Sequence, residues 1–485
     1  MTVALSIPRL RSFIDGELRA SAGERWIRDV NPSDTRDVIA DVPEGTDEDV
    51  AAAVAAAAEA LAPWRALSGP ARAEHLHRWA QAIVERQEVL AQLVAREVGK
   101  PIGEARGEVA RCVVILRYYA GEAVRSHGEV IPAQSSAALQ FTMREPLGVV
   151  ALITPWNFPL AIPLWKAAPA LAFGNTVVLK PAEAASQLAI SLAESAAAAG
   201  IPRGVFNVLL GSGAVIGRRL IEAADVQAVS FTGSGAVGAQ VATLAAQRNI
   251  RYQTEMGGKN VVIVLPDADL AQAALLTAGG AMRFAGQKCT ATSRVVVASE
   301  VEGEFVDRLR SEIDLLSLSP VHETASAIGP VISEVARTSI RDALAGLDAD
   351  FVYMGTIPKT EEYERGFWVP PTVIRNVAAD SLLAQKELFG PVLTQFRADD
   401  LEHAIQLANG TPYGLSASIF TRDIGQALHY IRRIRVGLVR VNGDTTGVDP
   451  HAPFGGMKGS SSGSREQGSA AREFYTEIKT VQVNP

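Results

Sequence analysis

The feature that most constrains this fold is a regular alternation of strand-like and helical segments between residues 145 and 258. Its strands are almost continuous runs of Val, Ile and Leu, which is typical of strands that are covered on both faces. Alternation with helices predicts a parallel sheet. Because ligands bind at the carboxyl ends of the strands in such sheets, the candidate binding segments are TPWNF, KPAE, GSG, FTGSG and EMGG.

A second alternating region, from about residue 260 to 453, predicts a second α/β domain with Cys289 near its start. At 485 residues the chain is long enough for two or three domains. It ends, after a segment rich in Gly and Ser, in the alternating strand FYTEIKTVQV. We expect this strand either to pair with another chain, which we favour, or to close an edge of its own sheet.

Composition narrows the classes of function. A net charge of −7 argues against a nucleic-acid partner. No apolar run of 18 residues lacks charges or prolines, so we expect no membrane span. The first residues do not read as a signal peptide. Two cysteines without a CxxC spacing indicate free thiols, a reducing, cytoplasmic setting and no structural metal site.

One of the two cysteines has the setting of a nucleophile. Cys289 stands in GQKCTATSR, after Lys288 and before small hydroxyl residues, whereas Cys112 lies in a helical apolar pattern and reads as a buried small side chain. Cationic neighbours or helix-end amides lower a thiol pKa from its usual value of about 8.5. None of the seven histidines lies in a motif that resembles a cysteine-protease partner.

The segment FTGSGAVG carries Gly233, Gly235 and Gly238 in the spacing GxGxxG, directly after a strand and at the start of a helix. That is the context of a dinucleotide motif, although the spacing alone is a weak signal. Glu255, in EMGGKN, is a carboxylate at a strand end beside two glycines. It reads either as a functional group approached closely by a ligand or as a surface glutamate at a turn.

Two further strand ends carry polar side chains. Lys180 and Glu183, in KPAE, are placed to bind ribose hydroxyls or to form a solvated loop pair. Asn157, in TPWNFP, is an amide held in a rigid turn, which suits an oxyanion hole.

The order of seven motifs resembles that of the NAD(P)-dependent aldehyde dehydrogenase superfamily over nearly the whole chain: TPWNFP, GNTVVLKPAE, SFTGS, EMGGKN, GQKCTATSR, KELFGPV and PFGGMKGSSSGSREQG. The resemblance implies an α/β fold with two Rossmann-like parallel-sheet domains and a small β oligomerisation element in a homodimer or homotetramer. The implied domains are dinucleotide-binding (1–123 and 145–257), catalytic (258–455) and oligomerisation (124–144 and 466–485).

The same resemblance implies the roles of individual residues. Cys289 is the expected nucleophile, Asn157 the oxyanion donor and Glu255 the general base, in a reaction that passes through a thiohemiacetal and a thioester to the free acid. The expected cofactor is NAD, or else NADP, since Glu183 would repel a 2′-phosphate. Its expected contacts are Ile153, Trp156, Lys180, Glu183, Gly233, Ser234, Glu387 and Phe389.

The substrate is less constrained. GQKCTATSRV and the Gly/Ser-rich tail resemble the α-ketoglutaric semialdehyde dehydrogenase subgroup. Arg283, six residues before the nucleophile, either binds a distal substrate carboxylate or pairs with the scaffold. Leu160, Ile162 and Trp165 would give the remaining funnel an apolar, aromatic character, which also suits benzaldehyde- or vanillin-type aldehydes.

Three other functions stay open. A CoA-acylating semialdehyde dehydrogenase of the same fold would not need a deacylating base, so Glu255 argues against it. A cysteine hydrolase or amidase would lack the KPAE and FTGS elements. A catalytically inactive relative would not need Cys289, Asn157 and Glu255 together.

Overall fold

The computed structural model describes residues 7–125, 128–347 and 349–485. Its strands are β1 (Ser12–Ile14), β2 (Glu17–Arg19), β3 (Trp26–Val30), β4 (Val38–Pro43), β5 (Val130–Ile131), β6 (Leu139–Pro146), β7 (Val149–Ile153), β8 (Thr176–Lys180), β9 (Phe206–Val208), β10 (Val226–Thr232), β11 (Arg251–Glu255), β12 (Val261–Val264), β13 (Arg294–Ala298), β14 (Asp350–Met354), β15 (Thr372–Arg375), β16 (Val392–Ala398), β17 (Tyr413–Gly414), β18 (Ser416–Phe420), β19 (Leu438–Val441), β20 (Met457–Lys458), β21 (Ser461–Gly463) and β22 (Thr476–Val483).

The α-helices are α1 (Asp47–Ala66), α2 (Gly69–Glu85), α3 (Gln87–Val98), α4 (Ile102–Glu122), α5 (Ala161–Ala172), α6 (Ser186–Ala198), α7 (Arg218–Glu222), α8 (Gly235–Gln247), α9 (Leu270–Met282), α10 (Glu302–Asp314), α11 (Glu334–Leu344), α12 (Glu361–Glu364), α13 (Leu382–Gln385), α14 (Leu401–Asn409), α15 (Ile424–Arg433) and α16 (Ala470–Tyr475).

The first alternating region forms an eight-stranded sheet in the order β2-β1-β9-β8-β7-β10-β11-β21. Its five central strands, in the order β9-β8-β7-β10-β11, run parallel, as the continuous apolar runs predict. Every residue of β8 is buried, because helices cover both faces of the sheet. The late strand β21 returns to pair antiparallel with the end of β11, which brings the C-terminal tail to the same edge.

The second alternating region forms a seven-stranded sheet in the order β14-β15-β16-β13-β12-β18-β19, parallel except for the edge strand β14. Strands β12 and β13 are fully buried. The predicted class of two parallel α/β sheets with a small additional β element is confirmed.

The small element is a three-stranded antiparallel sheet in the order β22-β6-β5. The terminal strand β22 pairs with β6 of its own chain along its full length, from Thr476 opposite Pro146 to Val483 opposite Leu139. From the sequence we favoured pairing of this strand with another chain. The ladder between β22 and β6 instead forms within one chain. Two strands of eight residues satisfy each other's backbone groups within the chain.

Among the described residues, no single helix is long and apolar enough to cross a membrane. Helices α1 and α2 together have the length and apolar composition of a membrane span, but the chain bends by 119° between them.

Candidate active site

Cys289 lies in the turn that joins α9 to β13. Phe284 and Ala285 adopt left-handed backbone conformations there (φ 54° and 50°), and Gly286 continues the turn at φ 66°. A Cβ on Gly286 would lie 2.5 Å from the carbonyl oxygen of Gly390, so only glycine permits this approach. Asn260 Nδ2 donates to the carbonyl oxygen of Cys289 at 2.8 Å and holds the end of the turn.

The Cys289 thiol is partly exposed, and its surroundings do not favour the thiolate. Burial, followed by the charges of Glu387 and Glu255, raises the pKa of this thiol to about 12. The expectation that a cationic neighbour lowers its pKa is wrong for Lys288, because the ammonium of Lys288 is paired with Glu104 at 2.7 Å. A proton acceptor or an added positive charge is required before Cys289 can attack.

Asn157 follows β7 and is buried beside the cysteine turn. Its Nδ2 donates to the carbonyl oxygen of Gln287 at 3.1 Å, two residues before Cys289. An amide has two N–H groups, so the second remains for a ligand oxygen. Lys100 Nζ donates to the backbone carbonyl of Asn157 at 2.7 Å, which fixes the turn from below.

Glu255 ends β11 and is buried, at 2% exposure. Ser461 Oγ donates to its Oε2 at 2.5 Å, whereas Oε1 has no hydrogen-bond partner. Burial and then the charge of Glu466 raise the pKa of Glu255 well above its usual range. A Cβ on Gly455 would lie 2.7 Å from Oε1, so the glycine leaves this oxygen free to move.

A buried polar cluster beneath Glu255 was missed from the sequence. Glu466 forms an ion pair with Lys166, accepts from Ser230 Oγ at 3.2 Å, and accepts from Trp165 Nε1 at 2.9 Å. The available signal was Lys166, a lysine within the apolar helix IPLWKAAPALA. The cluster links the wall of the substrate cavity to the base, because Glu466 touches Trp165 and acts on the pKa of Glu255.

The predicted cofactor residues of KPAE lie together at the end of β8. Lys180 Nζ lies 3.2 Å from Glu183 Oε1, and the same oxygen accepts from the backbone N–H of Gly213 at 2.7 Å. A Cβ on Gly213 would lie 3.4 Å from Lys180 Nζ. The lysine and the carboxylate thus lie side by side, as binding of ribose hydroxyls would need.

The predicted phosphate turn lies between β10 and α8. Ser234 caps α8 and accepts from the N–H of Val237 at 3.5 Å, which leaves the earlier amides of a 13-residue helix available to an anion. Gly233 is required because a Cβ there would meet the ring of Phe231 at 2.6 Å. The hydroxyls of Thr154 and Thr232, at the ends of adjacent strands, are buried without partners. These features fit a dinucleotide.

Glu387 lies on the other side of the cleft. It accepts from the N–H of Gly258 at 3.1 Å, and burial raises its pKa to about 7. Phe389 adopts a left-handed conformation (φ 55°) and packs edge-on against Trp156, with ring centroids 5.7 Å apart. Ile153, at the end of β7, is partly exposed. The turn after β7 and the KELFGP segment thus meet at Trp156 and Phe389.

Cys289 opens onto a cavity of about 670 Å³. Of the predicted substrate residues, Trp165 and Arg283 line it, whereas Leu160 and Ile162 do not: both are 1% exposed and packed into the core. Helix α5 is buried on every side, so its apolar residues other than Trp165 pack into the core.

Several other residues of the cavity wall were missed from the sequence because they come from distant segments; they are Glu104, Arg111, Phe158, Phe454 and Gln467.

Comparison with known proteins agrees with this geometry. The model of the aldehyde dehydrogenase family matches residues 18–481. The chain is 44% identical to the alpha-ketoglutaric semialdehyde dehydrogenase of Bacillus subtilis (98% of each chain covered) and 40% identical to the alpha-ketoglutarate semialdehyde dehydrogenase of Haloferax volcanii (97% and 98%). The crystal structure of an NAD-dependent aldehyde dehydrogenase from Sinorhizobium meliloti is 37% identical, with a TM-score of 0.94 over 99% of this chain and 95% of that one. This chain therefore belongs to the aldehyde dehydrogenase family and is an NAD(P)-dependent enzyme that oxidises small-molecule aldehydes.

Proposed function

We propose that this enzyme oxidises α-ketoglutaric semialdehyde (2,5-dioxopentanoate) to the free dicarboxylic acid with NAD+. The observation that carries the proposal is that Cys289 and Arg283 line one cavity. Arg283 is exposed there and forms no ion pair with any of the described residues, so its charge is available to a substrate carboxylate. The two relatives named for this substrate support the same choice.

Cys289 attacks the aldehyde carbon, so that a C–S bond forms and the carbonyl oxygen becomes an oxyanion. The thiol proton goes to a carboxylate, for which Glu255 is the group with a free oxygen. The oxyanion accepts from the second N–H of Asn157 Nδ2 and from the backbone N–H of Cys289. Loss of one such donor raises a barrier by roughly 3 kcal/mol.

The former aldehyde carbon loses a hydride, for which a bound dinucleotide would supply the acceptor. This loss regenerates a carbonyl group as a thioester on Cys289. Glu255 first releases the thiol proton to solvent. It then takes a proton from water as the water oxygen adds to the thioester. When the C–S bond breaks, the acid leaves and Glu255 returns that proton to the Cys289 sulfur. The raised pKa of Glu255 makes it a stronger base once it is ionised.

Lys180 and Glu183 would hold the adenosine ribose, and Gly233 and Ser234 the pyrophosphate. Glu387 and Phe389 would hold the nicotinamide ribose and ring, with Ile153 and Trp156 as further neighbours. NAD is favoured over NADP because the Glu183 carboxylate would repel a 2′-phosphate.

The sheet of β5, β6 and β22 supports a homodimer or homotetramer. It presents exposed apolar side chains, among them Val130, Leu139 and Ile478, on a short edge element. The free thiols of Cys112 and Cys289 support a reducing, cytoplasmic setting.

A second candidate substrate class is an aromatic aldehyde of the benzaldehyde or vanillin type. The observation that favours it is the aromatic wall of the cavity, where Trp165 and Phe454 have ring centroids 5.7 Å apart and Phe158 lies nearby. Such a substrate would make no use of Arg283.

NADH formation with 2,5-dioxopentanoate, succinic semialdehyde and benzaldehyde separates these candidates. We expect the highest kcat/KM with 2,5-dioxopentanoate, and Arg283→Ala should raise KM for the carboxylated aldehydes only. An equal rise in KM for benzaldehyde would show that Arg283 does not bind the substrate carboxylate. A requirement for CoA would indicate the acylating reaction instead.

Glu255→Gln tests the role of the base. It should release one equivalent of NADH per subunit and then stall, because the thioester on Cys289 is no longer hydrolysed. Steady turnover at the wild-type rate would assign deacylation to another group.

A further inference from the structure

The cavity at Cys289 carries an excess of positive charge. Two of its acidic residues are already neutralised: Glu104 pairs with Lys288 at 2.7 Å, and Glu108 pairs with buried Lys100. Two arginines of the wall, Arg111 and Arg283, remain without an ion pair to any described residue within 4.0 Å. The cavity therefore favours an anionic ligand over a neutral one.

Arg111 is the deeper of the two arginines. It projects from α4, is half-buried, and its Nε is enclosed without a hydrogen-bond partner. Arg283, in contrast, is exposed at the rim. Of the two acidic groups that act on Arg111, the exposed Asp449 has the larger effect and Glu108 the smaller, and neither forms an ion pair with it within 4.0 Å.

Gln467 supplies a second unsatisfied polar group on the same wall. It is 1% exposed, and neither its Oε1 nor its Nε2 has a partner. Its backbone is left-handed (φ 59°), a conformation that costs a non-glycine residue stability. The preceding residue, Glu466, is locked by two backbone hydrogen bonds to Phe454, also on the cavity wall. A buried side-chain amide without partners, on a residue with a strained backbone, is the arrangement expected of a ligand-binding group.

We propose that Arg111 and Gln467 form a subsite for an α-keto acid group at the far end of the substrate from the aldehyde. The Arg111 guanidinium pairs with the carboxylate, and the Gln467 amide N–H donates to the adjacent keto oxygen. This inference rests on the proposed function. Arg111 recognises the carboxylate, and Gln467 distinguishes a 2-keto carboxylate from a plain carboxylate. Arg283 then attracts the anion at the entrance.

The test compares kcat/KM for three aldehydes of equal chain length: 2,5-dioxopentanoate, 5-oxopentanoate, which lacks the ketone, and pentanal, which lacks both groups. Arg111→Met should lower the kcat/KM of both carboxylated aldehydes relative to pentanal by roughly 10- to 100-fold, the usual value of a charge-assisted pair. Gln467→Leu should instead lower the kcat/KM for 2,5-dioxopentanoate relative to that for 5-oxopentanoate by roughly 3- to 10-fold. Arg117→Met, an exposed arginine on the same helix, is the matched control and should change neither ratio.

A second measurement does not depend on turnover. Binding of 2-oxoglutarate measured by calorimetry should weaken in Arg111→Met and Gln467→Leu, whereas glutarate binding should weaken in Arg111→Met only. An equal fall in kcat/KM for all three aldehydes, or an unchanged affinity for 2-oxoglutarate, would overturn the subsite. If the wild-type enzyme does not prefer 2,5-dioxopentanoate to pentanal, the proposed function fails. The comparison of 5-oxopentanoate with pentanal still tests Arg111 in that case.

Discussion

The ammonium of Lys100 donates to the backbone carbonyl of Asn157 at 2.7 Å, although the two residues lie 57 positions apart. Lys100 is fully buried and forms an ion pair with Glu108. Glu108 in turn accepts from the N–H groups of Leu160 and Ala161 at 2.9 and 3.1 Å, at the start of α5. One buried ion pair thus holds both ends of the turn that carries the expected oxyanion donor.

We expect Lys100→Met to lower kcat by roughly 10- to 100-fold, because Asn157 is the group that it positions. The change also leaves Glu108 buried without its cation, which costs roughly 3–5 kcal/mol of stability. Lys100→Arg, which keeps the charge, should recover part of both losses. Steady-state kinetics with thermal unfolding measures the two effects separately.

Arg106→Met is the matched control, since it breaks an exposed ion pair between Arg106 on α4 and Glu88 on α3. It should cost less than about 1 kcal/mol and leave kcat unchanged. A kcat for Lys100→Met equal to that of the wild type would show that Asn157 is held without Lys100.

Alkylation of Cys289 should depend steeply on pH in the dinucleotide-free enzyme. Only the thiolate reacts, and the pKa of Cys289 is raised to about 12. The labelling rate with iodoacetamide should therefore rise about tenfold per pH unit from pH 7 to 10 without a plateau. Cys112, which is 0% exposed, is the internal control and should stay unlabelled until the protein unfolds. A plateau near pH 8 would indicate an ordinary thiol pKa.

Asp29 and Glu97 form a buried carboxyl pair that makes stability depend on pH. Glu97 accepts from the N–H groups of Gln187 and Leu188, and Asp29 Oδ2 has no partner. Burial raises the pKa of Asp29 from 3.8 to about 7. The folded state therefore holds a proton that the unfolded chain releases, so this contribution is lost as pH rises from about 3.8 to 7.

The free energy of unfolding should fall by up to about 1.4 kcal/mol per pH unit in that window from this group. Asp29→Asn should reduce the fall in Tm measured between pH 5 and 7. Asp41→Asn, at an ion pair with Arg28, is the control and should keep the wild-type slope. If Asp29→Asn leaves the change of Tm with pH as it is in the wild type, a group other than Asp29 holds the proton.

Glu183→Ser should shift the cofactor preference toward NADP+. The carboxylate lies beside Lys180, and its removal leaves that lysine unpaired. We expect the ratio of kcat/KM for NADP+ to that for NAD+ to rise by about tenfold, the effect of relieving one partly screened like-charge contact. Glu194→Ser, on the nearby helix α6, is the control. An unchanged ratio would mean that Glu183 does not face the adenosine ribose.

Much of the fold followed from patterns within short stretches of sequence. The apolar runs of β7 and β8 are typical of strands covered on both faces, and the alternation of such strands with helices predicts a parallel sheet whose carboxyl ends carry Asn157, Lys180 and Gly233. Local periodicity determines this because it reports which side chains must leave water. The motif around Cys289 was equally visible, since it lies within nine consecutive residues.

The partners of those residues were decided only by the tertiary structure. Glu466 acts on Glu255 from 211 positions away, and Gln467 and Arg111 line the same cavity although no local pattern connects them. Burial, which raises the pKa of Cys289 and of Glu255, depends on every segment that packs around them. A sequence shows which groups are present, but desolvation and pairing depend on distances that form only when the sheets and the C-terminal tail come together.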